Sequence, residues 1–166
     1  FIMLENGHTD YAGHSNDSGK LVREVLALDE AVKVALDFQA KHPDETLVVV
    51  TADHETGGLE IKKLNVEKLG ILNDQTLSLI DANKQIRDMI NKKEKPDVIF
   101  EALEKAVGIK FTPEERAKIE PAVVALATEE RKSVYGGNVA FVLDAYKMRD
   151  QRLGFEYTTG GHTSKK

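Results

Sequence analysis

The sequence predicts an α/β fold in which a mainly parallel sheet carries a helical insertion. Two apolar, strand-like segments, residues 1–4 and 46–52, flank a segment with helical periodicity at residues 20–41. A strand, a helix and a second strand form a βαβ unit, whose crossover is right-handed and whose strands run parallel. Residues 61–150 instead carry many charges and mostly helical patterns. They indicate a helical insertion, or lid, mounted on the α/β body.

The two predicted strands are the most apolar parts of the chain. Residues 1–4 (FIML) precede a Gly-, Asn- and Asp-rich stretch through Gly19, for which we expect a loop. Residues 46–52 (TLVVVTA) are continuously apolar and β-branched. This composition is typical of a central strand that is covered on both faces.

The segment between the strands has one apolar stripe. Its members recur at steps of three or four residues, as on one face of an amphipathic helix: Leu21, Val25, Leu28, Val32 and Leu36. We expect Ser18 to be the N-cap and the helix to end at His42-Pro43.

Further helices are predicted in the charged region. Thr112-Pro113-Glu114-Glu115 has a capping threonine, proline at the first position and glutamate at the third, which is a helix start. Pro121 should kink or interrupt that helix. Residues 138–150 form another amphipathic helix, and residues 153–159 (LGFEYTT) return to a strand pattern. The expected segments are an α/β body at 1–60, a helical insertion or lid at 61–150, and a return segment at 151–166.

Composition excludes several classes of function. The 166 residues include 23 Lys+Arg and 28 Asp+Glu, a net charge of −5, which argues against a nucleic-acid partner. No apolar run approaches the roughly 20 residues of a membrane span. The absence of cysteine excludes disulfides, thiolate metal ligands and cysteine nucleophiles. The chain starts in an apolar run without Met and stops just after a Gly-rich motif, so we expect a fragment of a larger catalytic domain.

Side chains that bind metals follow the predicted strands. The carboxyl ends of parallel strands share one edge, and ligands bind in the crevice outside it. Imidazole and carboxylate ligands without thiolate suit a catalytic zinc site. The candidate metal ligands are Glu5, Asp10 and His14 after the first strand, Asp53 and His54 after the second, and His162 in the last Gly-rich turn.

Each of these patterns also has an ordinary explanation. The spacing of Asp10 and His14 is common by chance, Asp53 and His54 could form a simple turn, and a single Gly-Gly-His sequence is a weak signal. Their combination is more informative, because four of the five histidines lie in predicted strand-end loops.

Four segments together resemble the alkaline phosphatases. LENGHTDYAGH at 4–14 resembles a segment of the type V-E-G-x-x-I-D-x-x-x-H. REVLALDEAVKVALDF at 23–38 and TLVVVTADHETGG at 46–58 continue the likeness in order and spacing, and TTGGHT at 158–163 resembles a late Gly-x-His-Thr segment. The resemblance implies part of a three-layer α/β/α sandwich with a mainly parallel sheet.

The resemblance also implies a reaction and a set of ligands. It implies hydrolysis of phosphate monoesters by a site of two Zn²⁺ and one Mg²⁺, through a phosphoserine intermediate. Glu5 would bind magnesium, whereas Asp10, His14 and His162 would bind one zinc. Asp53 and His54 would bind the second zinc.

Other elements of the family's site have no match in this chain. These are the serine nucleophile, the phosphate-binding arginine and an aspartate shared by zinc and magnesium. The serines lack the required setting: Ser15, Ser18, Ser78, Ser133 and Ser164. We therefore expect the nucleophile upstream, in a missing N-terminal half of the same protein. The isolated chain should be inactive, with weakened or absent metal binding. Thr56 stands where some members have another histidine, which should alter the surroundings of the zinc ligands.

Alternative functions stay open at this point. One is another metallohydrolase of the same superfamily, a phosphodiesterase, sulfatase or phosphomutase. The other is a catalytically inactive fragment or binding module. The helical region could cover the active site or form the contact of a homodimer. The resemblance also implies a periplasmic, secreted or cell-surface location, with any export signal upstream.

Overall fold

The structure is a computed structural model that describes residues 1–128 and 139–163. The chain divides into two compact units, one of Phe1–Leu59 with Tyr157–Lys166 and the other of Glu60–Glu156. Ser133, Asn138 and Ser164 lie outside the described residues. The functions expected for the three segments of the sequence stay predictions.

The helical part of the first unit, among its described residues, consists of two helices. Helix α1 spans Gly7–His14 and packs against helix α2, Ser18–Lys41. The loop expected through Gly19 is therefore wrong over most of its length. One link between the helices is the Asn6 side-chain amide, which donates to the Glu24 carbonyl at 2.9 Å.

Helix α2 begins two residues earlier than predicted. The Asp17 carboxylate accepts a hydrogen bond from the Lys20 amide at 3.1 Å, so Asp17 is the N-cap and Ser18 is the first helical residue. The predicted cap at Ser18 is wrong because the aspartate directly before it satisfies the helix terminus. In the predicted stripe Leu21, Leu28 and Val32 are half-buried, whereas Val25 and Leu36 are about half exposed.

The two predicted apolar strands do not form among the described residues. Residues 1–4 and 46–52 have no strand structure, and Leu4 and Leu47 are each 84% exposed. The predictions of burial and of a parallel βαβ unit are therefore wrong for this structure. A strand requires a neighbour that supplies hydrogen bonds, and helix α2 does not bring these two segments into a common ladder.

The described residues contain one small sheet. Strand β1 (Leu59–Ile61) pairs with strand β2 (Phe155–Tyr157). Hydrogen bonds beside the strands join Lys62 to Gly154 and Asn65 to Leu153, so residue numbers rise on one side as they fall on the other. The strands are therefore antiparallel. The predicted strand at 153–159 is confirmed in its central residues.

The described part of the second unit is mostly helical. Its helices are α3 (Ile71–Asp74), α4 (Leu79–Asn91), α5 (Pro96–Val107), α6 (Pro113–Thr128) and α7 (Ala140–Leu153), with a 3₁₀ turn at Val66–Lys68. Helices α4–α7 enclose an apolar core that includes Ile86, Phe100, Leu103, Val123 and Val142. Within the described ranges, every helix is too short or too polar to span a bilayer.

The end of helix α5 requires glycine. Gly108 follows the helix with φ of +82°, a left-handed conformation that L-residues with a Cβ rarely adopt. A Cβ at this position would also lie 2.5 Å from the backbone nitrogen of Gln75. Gly108 therefore both ends the helix and lets the chain pass close to the end of α3.

The predicted start of helix α6 is confirmed. The Glu115 amide donates to the Thr112 hydroxyl at 3.2 Å, and the Thr112 amide donates to the Glu115 carboxylate at 2.9 Å, which is a reciprocal capping box. Of the kink or interruption predicted at Pro121, the interruption is wrong, because α6 continues to Thr128, and the kink stays a prediction. Buried Ile119 and Val123 anchor the helix on both sides of the proline.

Helix α7 carries a buried charged pair. Arg149 is fully buried, and its guanidinium donates to the Asp150 carboxylate at 2.9 and 2.8 Å and to the Gln75 side-chain oxygen. These bonds satisfy charges that would otherwise be costly to bury.

Glu115 should make the second unit more stable at neutral than at acidic pH. Burial raises the pKa of Glu115, but hydrogen bonds from Arg152 and from the Thr112 amide outweigh it, so the pKa lies below its usual 4.5. A lowered folded-state pKa stabilises the fold above the unfolded value, and this contribution is lost as the pH falls through the folded value. We expect Glu115→Gln to lower the free energy of unfolding by about 1 kcal/mol at neutral pH.

Urea unfolding at a series of pH values tests this expectation. The difference between wild type and Glu115→Gln should shrink as the pH falls below 4.5. Exposed Glu67 supplies a matched control, since Glu67→Gln should leave the profile unchanged. A pH-independent difference for Glu115→Gln would contradict the assignment.

Candidate metal centre

Three of the predicted metal ligands converge in the first unit. One ligand atom from each of Asp10, His14 and His162 lies within 4.8 Å of the others. The Nε2 atom of His14 lies 3.4 Å from Asp10 Oδ2, and that of His162 lies 3.5 Å from Asp10 Oδ1. Asp10 and His14 are four residues apart on helix α1, so they share one helix face. His162 reaches the group from the return segment.

A backbone carbonyl orients the His14 ring. His14 Nδ1 lies 2.7 Å from the Gly160 carbonyl oxygen. Because a carbonyl only accepts, Nδ1 is the donor in this bond, and Nε2 faces Asp10. Metal-binding histidines commonly donate their second ring N–H to a carbonyl in this way. The bond also joins α1 to the segment that carries His162.

Thr56 holds the carboxylate of this group. Its hydroxyl donates to Asp10 Oδ1 at 2.6 Å. This bond lowers the pKa of Asp10 below its usual value, against the opposing effect of partial burial, and the neighbouring His14, His162 and His54 also lower it. Asp10 is therefore held as the carboxylate, the form that binds cations.

Glycine allows helix α1 to approach the Thr56 segment. Gly13 is buried, and a Cβ on it would lie 2.9 Å from the Thr56 carbonyl oxygen. A larger residue would push α1 away from Thr56 and so separate Asp10 from its hydrogen-bond donor.

His54 lies beside the three-residue group. Its ring centroid is 3.8 Å from that of His162, and its Nδ1 is 3.2 Å from both the Thr56 hydroxyl and the Glu55 carbonyl. Asp53 Oδ2 lies 3.2 Å from His54 Nε2, but its side chain is 78% exposed. The structure thus brings His54 to the group and leaves Asp53 at its solvent side.

Glu5 is the sixth predicted ligand. It precedes helix α1 and is exposed, and it does not belong to the three-residue group. Its assignment to magnesium stays a prediction, as do the separate zinc assignments of the other five residues.

The donor chemistry of the group suits zinc. Two imidazoles and one carboxylate are a common protein ligand set of catalytic zinc, which leaves a further position for substrate or water. The fixed His14 ring and the hydrogen-bonded carboxylate also match the supporting bonds that zinc ligands usually receive.

One polar residue of this region, Glu55, was not predicted as part of it. Thr56 was expected in the surroundings of the zinc ligands, and its hydroxyl bonds to the candidate ligand Asp10. Glu55 accepts hydrogen bonds from the Gly58 amide and from Thr163. The Thr163 hydroxyl, with those amides, lowers the pKa of Glu55 against the effect of partial burial. A glutamate directly before Thr-Gly-Gly was a usable signal, since tight turns present backbone N–H groups to nearby carboxylates.

Comparison with known proteins agrees with the motifs. A sequence profile described as alkaline phosphatase matches residues 1–132. The chain belongs to the alkaline phosphatase family. The resemblance inferred from the four sequence segments is thereby confirmed.

Individual relatives carry the same name. Alkaline phosphatase 4 of Bacillus subtilis is 34% identical over 125 residues, which are 75% of this chain and 26% of that protein. The repressible alkaline phosphatase of Saccharomyces cerevisiae is 52% identical over 59 residues, 36% of this chain and 10% of that protein. The chain thus aligns with only about a quarter or less of the length of each of these alkaline phosphatases.

A solved structure shares the fold. The crystal structure of a cold-active alkaline phosphatase from a psychrophilic Shewanella species superposes with a TM-score of 0.72 at 24% identity. The match covers 96% of this chain and 36% of the other. The chain therefore adopts part of an alkaline phosphatase fold, while the three-layer sandwich stays a proposal.

Proposed function

We propose that the chain contributes metal ligands to an alkaline phosphatase that hydrolyses phosphate monoesters. The observation that supports this most directly is the convergence of Asp10, His14 and His162 in a member of this family. All three ligands come from this chain. We therefore propose that it binds one zinc by itself, more weakly than a complete site would.

Each residue of the group has a distinct role in the proposal. His14 and His162 would hold zinc through Nε2, and Asp10 would add a carboxylate that offsets part of its charge. The Gly160 carbonyl keeps the proton of His14 on Nδ1, and the Thr56 hydroxyl holds Asp10 in its charged form. When bound, zinc supplies positive charge that stabilises a phosphoryl group during its transfer.

The remaining ligands belong to the wider proposal. Asp53 and His54 would hold a second zinc and Glu5 a magnesium, each together with residues from outside this chain. His54 is already adjacent to the first group, because its ring contacts that of His162. Asp53 and Glu5 are exposed, which fits ligands that require further partners.

We propose that the serine nucleophile lies outside the chain. Ser15 donates to the Tyr11 and Ala12 carbonyls, Ser18 is buried at the start of α2, and Ser78 caps α4. Ser15 and Ser78 thus bond locally at helix ends, and Ser18 is closed off from solvent. The isolated chain should therefore lack phosphatase activity.

The partner in this proposal is a further part of the same protein. Residues 1–4 and 46–52 expose apolar side chains, and Val25 and Val34 on α2 are also exposed. Additional strands of an alkaline phosphatase sheet, supplied by that further part, would cover such surfaces. An export signal in the same part of the protein would give a periplasmic, secreted or cell-surface location. A homodimer formed through the helical region stays part of the proposal.

A comparison of two proteins tests the function. One is the 166-residue chain, and the other is a longer product of the same gene that includes the coding sequence upstream of Phe1. We expect the longer protein, loaded with zinc and magnesium, to hydrolyse p-nitrophenyl phosphate faster than the corresponding diester or sulfate. The chain alone should show no turnover.

Each other result has a definite meaning. Preference for the diester or the sulfate would favour another metallohydrolase of the superfamily. Zinc binding without turnover by the longer protein would favour an inactive binding module. Monoester hydrolysis by the chain alone would contradict the proposed position of the nucleophile.

A further inference from the structure

The Glu55 carboxylate joins two segments of the first unit. One oxygen, Oε1, accepts from the Gly58 amide in the turn that follows Asp53 and His54. The other, Oε2, accepts from both the amide and the hydroxyl of Thr163, the amide at 2.9 Å. The two oxygens thus bond to segments that are about a hundred residues apart in the sequence.

These bonds fix the backbone directly beside His162. Thr163 is its neighbour in sequence, and the Gly57 amide donates to the Gly161 carbonyl at 2.9 Å on its other side. The His162 side chain is itself 49% exposed, so packing alone holds it weakly. Its position 3.5 Å from Asp10 therefore depends on the bonds that hold the return segment.

We propose that Glu55 is a positioning residue that holds His162 within reach of Asp10 and His14. The consequence for metal binding rests on the proposed zinc site, whereas the positioning itself is a property of the metal-free chain. Glu55 acts through Thr163 and Gly58 and does not bind the metal.

The chemistry of the carboxylate is needed for this role. Both oxygens accept, and together they bond to three donors. Glutamine has one acceptor oxygen, and its NH₂ group would face a backbone N–H at either Gly58 or Thr163. Glu55→Gln should therefore release one of the two segments while it keeps the size of the side chain.

The first measurement uses the metal-free chain. Amide hydrogen exchange observed by NMR should show faster exchange at Thr163 or Gly58 in Glu55→Gln, and the His162 ring resonances should shift. Glu30→Gln, on an exposed part of α2, is the matched control and should change neither.

The second measurement uses zinc ion alone, titrated against a chromophoric chelator. Glu55→Gln should lower zinc affinity about 10- to 100-fold, the range found when supporting bonds to metal ligands are removed. Thr163→Val, which loses only the hydroxyl bond, should have a smaller effect in the same direction. Thr163→Ser keeps the hydroxyl and should restore wild-type affinity and exchange.

Together, the two measurements distinguish a failure of the positioning role of Glu55 from a failure of the proposed zinc site. Wild-type exchange and affinity in Glu55→Gln, with zinc bound by the wild type, would overturn the positioning role and leave the zinc site intact. Faster exchange in Glu55→Gln together with no zinc binding by the wild type would support positioning and count against the proposed function. If Glu55→Gln fails to fold, the Thr163→Val and Thr163→Ser pair decides, and equal behaviour of the two would overturn the proposal.

Discussion

Replacing Asp10 by asparagine should lower the zinc affinity of the chain at least about 100-fold. Asp10 places one oxygen 3.4 Å from His14 Nε2 and the other 3.5 Å from His162 Nε2, and it is the anion of the three-residue group. Asparagine keeps the shape of the side chain but removes its charge and presents a neutral amide to the metal. Competition against a chromophoric zinc chelator at constant pH measures the change.

A second aspartate provides the control for this experiment. Asp29 is exposed on helix α2, so Asp29→Asn makes the same chemical change away from the group. It should bind zinc like the wild type. An Asp10→Asn chain with wild-type zinc affinity would contradict the assignment of Asp10 as a ligand. Unchanged far-UV circular dichroism would exclude unfolding as the cause of a loss.

Replacing Arg149 by leucine should lower the free energy of unfolding of the second unit by about 3–5 kcal/mol. The guanidinium is fully buried and bonds to Asp150 and Gln75. Without it, the carboxylate of Asp150, which is only 3% exposed, loses the positive charge of Arg149. Urea unfolding followed by circular dichroism measures the effect.

Charge and packing can be separated in this experiment. Arg116 pairs with Asp97 on the exposed side of helix α6, and Arg116→Leu should cost about 1 kcal/mol or less. Adding Asp150→Asn to Arg149→Leu should regain part of the lost stability, because it removes the buried negative charge that Arg149 neutralises in the wild type. Equal costs for Arg149→Leu and Arg116→Leu would show that the buried pair has no special role.

Sequence-based prediction succeeded where a structural feature depends on residues that are close together in the sequence. Helix α2 follows from its apolar period, and the start of α6 follows from Thr112 and Glu115, which bond to each other three residues apart. Helix α1 was missed because Gly7 and Gly13 are poor helix formers and its apolar periodicity is weak. Packing on α2 stabilises it instead.

The predicted strands failed for the opposite reason. The apolar character of residues 46–52 indicates that the segment is suited to a sheet. A strand nevertheless forms only where a neighbouring strand pairs with the segment. Val49 and Val50 are accordingly exposed in the described structure. Composition alone cannot supply the identity of that neighbour.

The candidate site likewise has features that the sequence predicts and others that depend on the fold. Residue type and predicted strand ends were enough to select Asp10, His14 and His162 as candidates, and the structure brings them together. Their supporting bonds could not be predicted, because they depend on the path of the backbone. The Gly160 carbonyl is 146 residues from His14, and Thr56 is 46 residues from Asp10.

The bond between His14 and the Gly160 carbonyl has a consequence for synthesis on the ribosome. Its two partners are 146 residues apart, and the whole second unit is encoded between them. Helix α1 emerges early, but His162 is added only after the helical region has been translated. The three-residue group is therefore incomplete in every nascent chain that ends before His162. If the group binds zinc as proposed, capture of the ion by all three residues would follow the translation of the second unit and of His162.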